Sequence, residues 1–242
     1  MMKILICIDD TDNLDSIGTG QLLEDMCAEM ERTGLAKGGF VTRHQLLIHE
    51  DIEYTSHNSS MCCEAETGDL QKTAAFAKEY LESHAAEGSD PGICILRLTD
   101  GADYGKLCEF GRLAQTVVLR KEDAYAAAAM YPDVLSLTEH GGTGDGVIGA
   151  LAGVGLRLTG SDGRVKGKIR PETEGERLTV EEFCEKYPVD QVLTEDGDRL
   201  PDDTELVFTE PAKAVMIGGT VTLVAVRDNG RWIPRPHKGN KK

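Results

Sequence analysis

Four carboxylates fall within seven positions of the stretch IDDTDNLDSIGTG: Asp9, Asp10, Asp12 and Asp15, between a short apolar run and the turn Gly18-Thr19-Gly20. Carboxylates this crowded repel one another unless a cation neutralises them, so the economical chemistry is a divalent metal. Mg²⁺ fits best, because it takes oxygen ligands and commonly shares one or two carboxylates with substrate phosphates. A solvated Asx-turn followed by a helix N-cap is the alternative reading of the same residues. Thr19 stands at a helix entrance, where N–H groups and the helix dipole favour an anion; its hydroxyl is read either as a phosphate contact or as an N-cap.

Two further segments carry polar chemistry. TRHQLLIHEDIEYTSHNSSMCCE, residues 42 to 64, contains Arg43 near the start of a strand and a polar loop with Tyr54, Thr55, Ser56, His57 and Asn58, which suits a substrate. His44, His49 and His57 with Cys62 and Cys63 invite a zinc reading, but the spacings lack the short pairs of a preformed site. GGTGDGVIGALAGVG presents Gly142, Thr143, Gly144 and Gly146 ahead of a helix, an arrangement that lets backbone N–H groups approach a phosphate. Close helix packing explains Gly149, Ala150, Ala152 and Gly153 better than a ligand does. Arg43 or Lys168 is a candidate to steady transferring charge.

The elements that must position these residues follow from periodicity. KILICI, residues 3 to 8, is a continuous apolar run of the kind buried on both sheet faces. TGQLLEDMCAEMER places Leu22, Leu23, Met26, Cys27 and Met30 at helical spacing, with Gly34 as a stop. Strands are expected at 40–49 and 59–66 and a helix at 69–84. AAEGSDPG, residues 85 to 92, reads as an internal boundary. Beyond it, strands at 92–98, 116–120 and 134–138 alternate with helices near 104–114 and 121–130, and a small-residue helix closes at Gly155. Residues 171 to 210 hold fourteen acidic residues against Arg177, Lys186 and Arg199, which marks them as a separate acidic region. KAVMIGGTVTLVAVRDNGRW returns to strand pattern with a turn at Asp228-Asn229-Gly230. The tail RPHKGNKK is basic and is expected to fray.

Composition narrows the function classes. The 242 residues carry a formal charge of −16, which argues against a broad surface for a phosphate backbone. Seven Cys without CxxC spacing or a secretory leader read as reduced thiols of a cytoplasmic protein. No apolar run reaches the roughly 18 to 20 residues of a membrane helix. A homo-oligomer is left open.

Taken in order, Ile8-Asp9-Asp10-Thr11-Asp12-Asn13 with Gly18-Thr19-Gly20, then Asp51-Ile52-Glu53-Tyr54-Thr55-Ser56-His57-Asn58, then Gly144-Asp145-Gly146-Val147-Ile148-Gly149-Ala150-Leu151-Ala152-Gly153-Val154-Gly155, resemble three segments of the archaeal tRNA agmatinylcytidine synthetase (TiaS) family. The resemblance spans roughly residues 4 to 170. It implies an α/β (α+β) fold with an N-terminal kinase-like α/β module at 1–88 and a ferredoxin-like domain at 89–170; composition and strand pattern add an acidic, β-rich extension at 171–242. It also implies ATP and Mg²⁺ as cofactors, with Asp9, Asp10 and Asp12 as metal and catalytic residues. Thr19 would stand at the position of the family's phosphorylated threonine, and Gly18, Gly20, Gly142, Thr143, Gly144 and Gly146 would face the nucleotide. Arg43, Tyr54, His57 and Asn58 would meet the substrate. No CxxC pair supplies the family's zinc ribbon, and little chain remains after residue 170 for its OB-fold. The reading is an Mg²⁺/ATP-dependent phosphoryl-transfer or substrate-activating enzyme whose acceptor is a small molecule or protein. The alternatives are a non-catalytic nucleotide-binding or regulatory protein, and a tRNA-modifying enzyme that needs a separate RNA-binding partner.

Overall fold

In a computed structural model, which describes residues 1–54 and 57–236, the chain has a mixed α/β architecture and divides into two compact units, Met1–Thr159 and Gly160–Lys242. In the first unit, β1 (Met2–Asp9), α1 (Thr19–Arg32), β2 (Ala36–Gln45), β3 (Ser59–Thr67), α2 (Leu70–His84) and β4 (Gly92–Arg97) follow in order. The strands lie as β4-β1-β3-β2, all antiparallel, which is the ferredoxin-like split βαβ arrangement. This topology therefore occupies residues 2–97, upstream of the range 89–170 expected to hold it. The position expected for a domain division, 88/89, falls between α2 and β4, inside one sheet unit, because β1 pairs with β3 on one side and β4 on the other.

Three helices, α3 (Gly105–Leu113), α4 (Lys121–Ala128) and α5 (Gly146–Leu158), and one more strand, β5 (Leu135–Glu139) against β4, complete the unit. The alternation along β1 explains the layers. Ile4, Ile6 and Ile8 pack with Leu22, Leu23, Met26 and Met30 of α1, whereas Leu5 and Cys7 pack with Val147, Ala150, Leu151 and Val154 of α5. Side chains two apart share a face, so a strand that is apolar at every position is covered on both sides. Each fully buried Ile or Leu stabilises the unit by about 1.5–3 kcal/mol of transfer free energy. Residues 116–120 are not a strand; they follow α3 as a turn and an extended lead into α4.

Small residues let α5 sit directly on the sheet. A Cβ added at Gly146 would overlap the backbone of Asp90, one at Gly92 the backbone of Gly146, and one at Gly153 the Sγ of Cys7. At Gly155 a Cβ would run into the Leu107 carbonyl of α3, so Gly155 is a contact point inside α5 rather than its stop. Close packing is thus the reason for the Gly and Ala row.

The second unit is β-rich. It contains β6 (Arg164–Val165), β7 (Glu176–Thr179), α6 (Val180–Lys186), β8 (Gln191–Thr194), β9 (Glu205–Phe208), β10 (Val215–Ile217), β11 (Thr220–Asp228) and β12 (Arg231–Pro234). Its strands lie in the order β6-β10-β11-β12-β9-β7, with β8 parallel to β11. The Thr179/Glu182 capping box starts α6, and Phe183 packs edge-on to Phe208 at 5.5 Å with Tyr187 beside both. The expected turn joins β11 to β12, with Asn229 at φ 48° and Gly230 at φ 80°, the left-handed pair that a two-residue hairpin requires. Thr55, Ser56 and the basic tail from His237 lie outside the described residues. Among the described residues no helix is long and apolar enough to cross a membrane.

Candidate functional site

Three loops meet at the carboxyl end of β1. The first is the acidic loop: Asp9 ends the strand, and Asp10 turns the chain with φ 50°, a left-handed conformation that a non-glycine residue adopts at a cost of order 1 kcal/mol. The second is the segment 85–92. Ala86 N–H donates to the Thr11 carbonyl (2.9 Å), Asp90 N–H to the Asp10 carbonyl (3.1 Å), and the Asn13 side-chain amide to the Glu87 carbonyl (3.2 Å). A stretch that reads in sequence as a linker is therefore one wall of the site. The third is the glycine loop before α5, whose helix comes close enough that a Cβ at Gly149 would overlap the Asp9 carboxylate.

Burial and mutual repulsion set the electrostatics. Asp9 is half-buried, and its pKa is raised to about 8, first by desolvation and then by the negative charges of Asp10 and Asp12. Asp10 is pushed up to about 6 by desolvation, then by Asp90 and Asp12, with Glu53 and Asp145 adding to it. Asp9 thus holds its proton at neutrality and Asp10 gives its proton up only just below, unless a cation arrives to replace them. Asp12 is half-buried, with its Oδ2 3.5 Å from where a Cβ on Gly18 would stand. Asp15 is exposed in a separate turn, where its N–H donates to Asn13 Oδ1 (3.0 Å), so the Asx-turn of the alternative reading is built on Asn13 and not on the strand-end acids. Among the described residues, no group of three or more His, Cys, Asp or Glu side chains is gathered closely enough to hold a metal ion.

The glycine loop already has an anion, and it is Asp90. Thr143 N–H (3.1 Å), Thr143 Oγ1 (2.6 Å) and Asp145 N–H (3.0 Å) donate to its Oδ2, while Gly144 N–H donates to Oδ1 (2.7 Å). Gly142 at φ 57° and Gly144 at φ 85° curl the backbone into this nest of donors. The sequence reading has these N–H groups approach a phosphate; in the structure they donate to the chain's own Asp90 carboxylate. Lys121 ties the loop down by donating to the Thr143 carbonyl (2.6 Å) and pairing with Glu139 at 3.3 Å, and the Tyr125 hydroxyl donates to the same Glu139 (3.0 Å).

At α1 the N-cap is Gly18, and no side chain caps the helix; Thr19 and Gly20 are its first two residues, both buried, Thr19 at 6% exposure. Thr19 is therefore not the N-cap. Thr11, 2% exposed, directs an Oγ1 that meets no hydrogen-bond partner among the described residues. Arg43 stands on strand β2, in register through Met61 with Ile8, and its Nε donates to Ser59 Oγ at 3.0 Å. Tyr54 and His57 are exposed, whereas Asn58 staples the β2–β3 connection, with its side-chain amide donating to the Leu47 carbonyl at 2.6 Å. His44 is buried against Thr42 Oγ1 (2.8 Å), and His49 faces Asp51. Lys168 belongs to the second unit. Sequence reasoning missed Asp90, Lys121 and Glu139. Only Asp90 had a signal, as an acid flanked by turn residues in GSDPG.

Against this geometry, no family model and no curated protein sequence matches the chain. Solved structures do. A complex of TiaS with an isoleucine tRNA and ATP matches at 26% identity and a TM-score of 0.55, over 84% of this chain and 50% of that one. Apo TiaS, a tRNA agmatidine synthetase, matches at 26% identity and a TM-score of 0.54, over 77% of this chain and 45% of that one. A complex of TiaS with an isoleucine tRNA, AMPCPP and agmatine has a TM-score of 0.56 at 24% identity, over 84% of this chain and 51% of that one.

The fold is TiaS-like.

The chain spans about half the length of these TiaS structures. One of them contains ATP and an isoleucine tRNA.

Proposed function

We propose that the chain is an Mg²⁺/ATP-dependent enzyme of the phosphoryl-transfer or substrate-activating kind, kinase- or ligase-like, with its site where the acidic loop, segment 85–92 and the glycine loop meet. The observation that carries this reading is the pair Asp9 and Asp10 at the strand end, partly withdrawn from water and with raised proton affinities. Carboxylates whose ionisation is opposed by burial and repulsion gain most from a divalent cation. Mg²⁺ needs only one or two carboxylates when phosphates and water complete its shell, so Asp9 and Asp10, with Asp12 at the rim, suffice without a closed protein cage. Such an ion, when bound, neutralises charge on the transferring phosphoryl group.

The chain's own residues bind and orient. The uncapped N-terminus of α1 at Gly18, Thr19 and Gly20 offers donors to phosphate. Asp90 keeps the glycine loop folded, so that Gly142, Thr143, Gly144 and Gly146 form a fixed wall for the nucleotide. Arg43, Tyr54 and His57 lie on the side where an acceptor enters; with Asn58 committed to the loop, its part is to shape that entrance. The acceptor is a small molecule or protein, and with a net charge of −16 a tRNA would be engaged only with a separate RNA-binding partner.

A second reading, a nucleotide-binding protein that forms no product, is favoured by the burial of Thr19 and by the filled glycine loop. Thermal unfolding with ATP and Mg²⁺, separately and together, followed by assay of ADP release, tests both. The enzyme reading expects a rise in Tm that needs both components, ADP release, and loss of both effects in Asp10→Asn. A rise without ADP supports the second reading, and a response unchanged in Asp10→Asn overturns the carboxylate–metal site.

A further inference from the structure

We propose that Cys27 and Cys63 are a thiol pair that a hydroperoxide converts to a reversible disulfide, joining α1 to β3. Their Sγ atoms stand 3.1 Å apart, although the residues are far apart in sequence and on different elements. The strand β2 leaves room for the pair: at Gly38 a Cβ would lie 2.9 Å from the Cβ of Cys27, so a side chain there would press on the α1 thiol. The inference does not depend on the nucleotide reading.

The fold also separates this pair from the other core thiols. Cys62 and Cys63 are neighbours on β3 and so point to opposite faces. Cys62 joins Cys7 and Cys94 in one row across β3, β1 and β4, beneath α5 and fully buried. Cys63 instead faces α1, where Cys27 is 7% exposed and is the nearest of the five to solvent. The Sγ contact with Cys63 also draws the Cys27 pKa below its ordinary value while that of Cys63 is raised, which favours Cys27 as the attacking sulfur and Cys63 as the resolving one.

The chemistry balances in two steps. The Cys27 thiolate attacks a peroxide oxygen and breaks the O–O bond, giving a sulfenic acid and hydroxide (or an alkoxide). Cys63 then attacks the Cys27 sulfur, the S–O bond breaks, and the Cys63 proton leaves with the departing oxygen as water. Overall the two thiols lose two electrons and two protons, and the peroxide is reduced. The product fixes α1 to the sheet eight residues after its start at Thr19.

Peptide mapping tests this on the intact chain. The folded protein is treated with hydrogen peroxide, quenched, unfolded in alkylating reagent, digested and weighed. The expected product is one linked pair of peptides carrying Cys27 and Cys63, about 2 Da lighter than the sum of the reduced peptides and separated by dithiothreitol. Cys27→Ser and Cys63→Ser should each abolish it, and Cys94→Ala should leave it intact. Mapping of the wild-type chain needs no variant to fold. Full alkylation of both Cys27 and Cys63 after peroxide, or linkage of a different pair, overturns the proposal.

Discussion

Replacing Asp9 with Asn removes the most strongly perturbed carboxyl of the strand-end cluster with little change in shape. In the unfolded chain Asp9 titrates near its model value of 3.8, whereas in the folded protein its pKa is raised to about 8. The folded state therefore holds this proton more tightly than the unfolded state does. The stability that this affinity represents is complete below 3.8 and is lost progressively as pH rises through 8. At pH 7 the loss approaches about 4 kcal/mol, from about 1.4 kcal/mol per unit across the interval above 3.8. Coupling to Asp10, whose pKa is raised as well, brings the expected effect to roughly 2–4 kcal/mol. Urea unfolding of wild type and Asp9→Asn at half-unit steps from pH 5 to 8.5 measures it. The variant should be more stable at pH 7, and the gap should widen between pH 6 and 8, above the pKa of about 6 at which Asp10 titrates. Mg²⁺ with ATP should narrow the gap from the wild-type side, because a bound cation favours the ionised acid. Parallel pH profiles, or an Asp9→Asn protein less stable than wild type at pH 7.5, would refute the claim that Asp9 is held protonated by burial and repulsion.

Two other substitutions probe the framework of the site, and a third probes the core of the second unit. Asp90→Asn weakens a carboxylate that accepts from three backbone N–H groups and the Thr143 hydroxyl, so urea unfolding should show a loss of about 1–3 kcal/mol, and hydrogen exchange at Gly144 and Asp145 should accelerate. Gly149→Ala places a methyl group on the Asp9 carboxylate and should cost about 1–3 kcal/mol in the same assay, with the Asp9 titration shifted. An unchanged midpoint would mean that α5 does not sit this close to β1. Phe183→Ala in the second unit empties a fully buried ring site against Phe208 and should lower stability by about 3–5 kcal/mol, read from circular dichroism during denaturation.

Much of the fold was legible because local patterns agreed with the tertiary answer. The α1 periodicity gave Thr19–Arg32, the apolar run at 3–8 gave a strand covered on both faces, and Asp228-Asn229-Gly230 gave the β11–β12 turn. The expected strand at 116–120 failed because Val117 and Val118 are β-branched yet have no neighbouring strand to pair with, and both stand exposed after α3. The expected stop at Gly155 failed because a glycine inside a helix reads as a terminus until its contact with Leu107 is seen. Small, turn-rich composition at 85–92 cannot distinguish a linker from a loop whose backbone bonds to Thr11 and Asp10.

By itself the sequence determined most elements of the first unit and the gathering of acids after β1, because apolar spacing and carboxylate density are local properties of the chain. Only the tertiary structure decided that β1 runs between β3 and β4, that Asp90 fills the glycine loop, and that Cys27 meets Cys63. These are contacts between residues distant along the chain. Their partners are selected by which faces are buried together, and no local pattern encodes that choice.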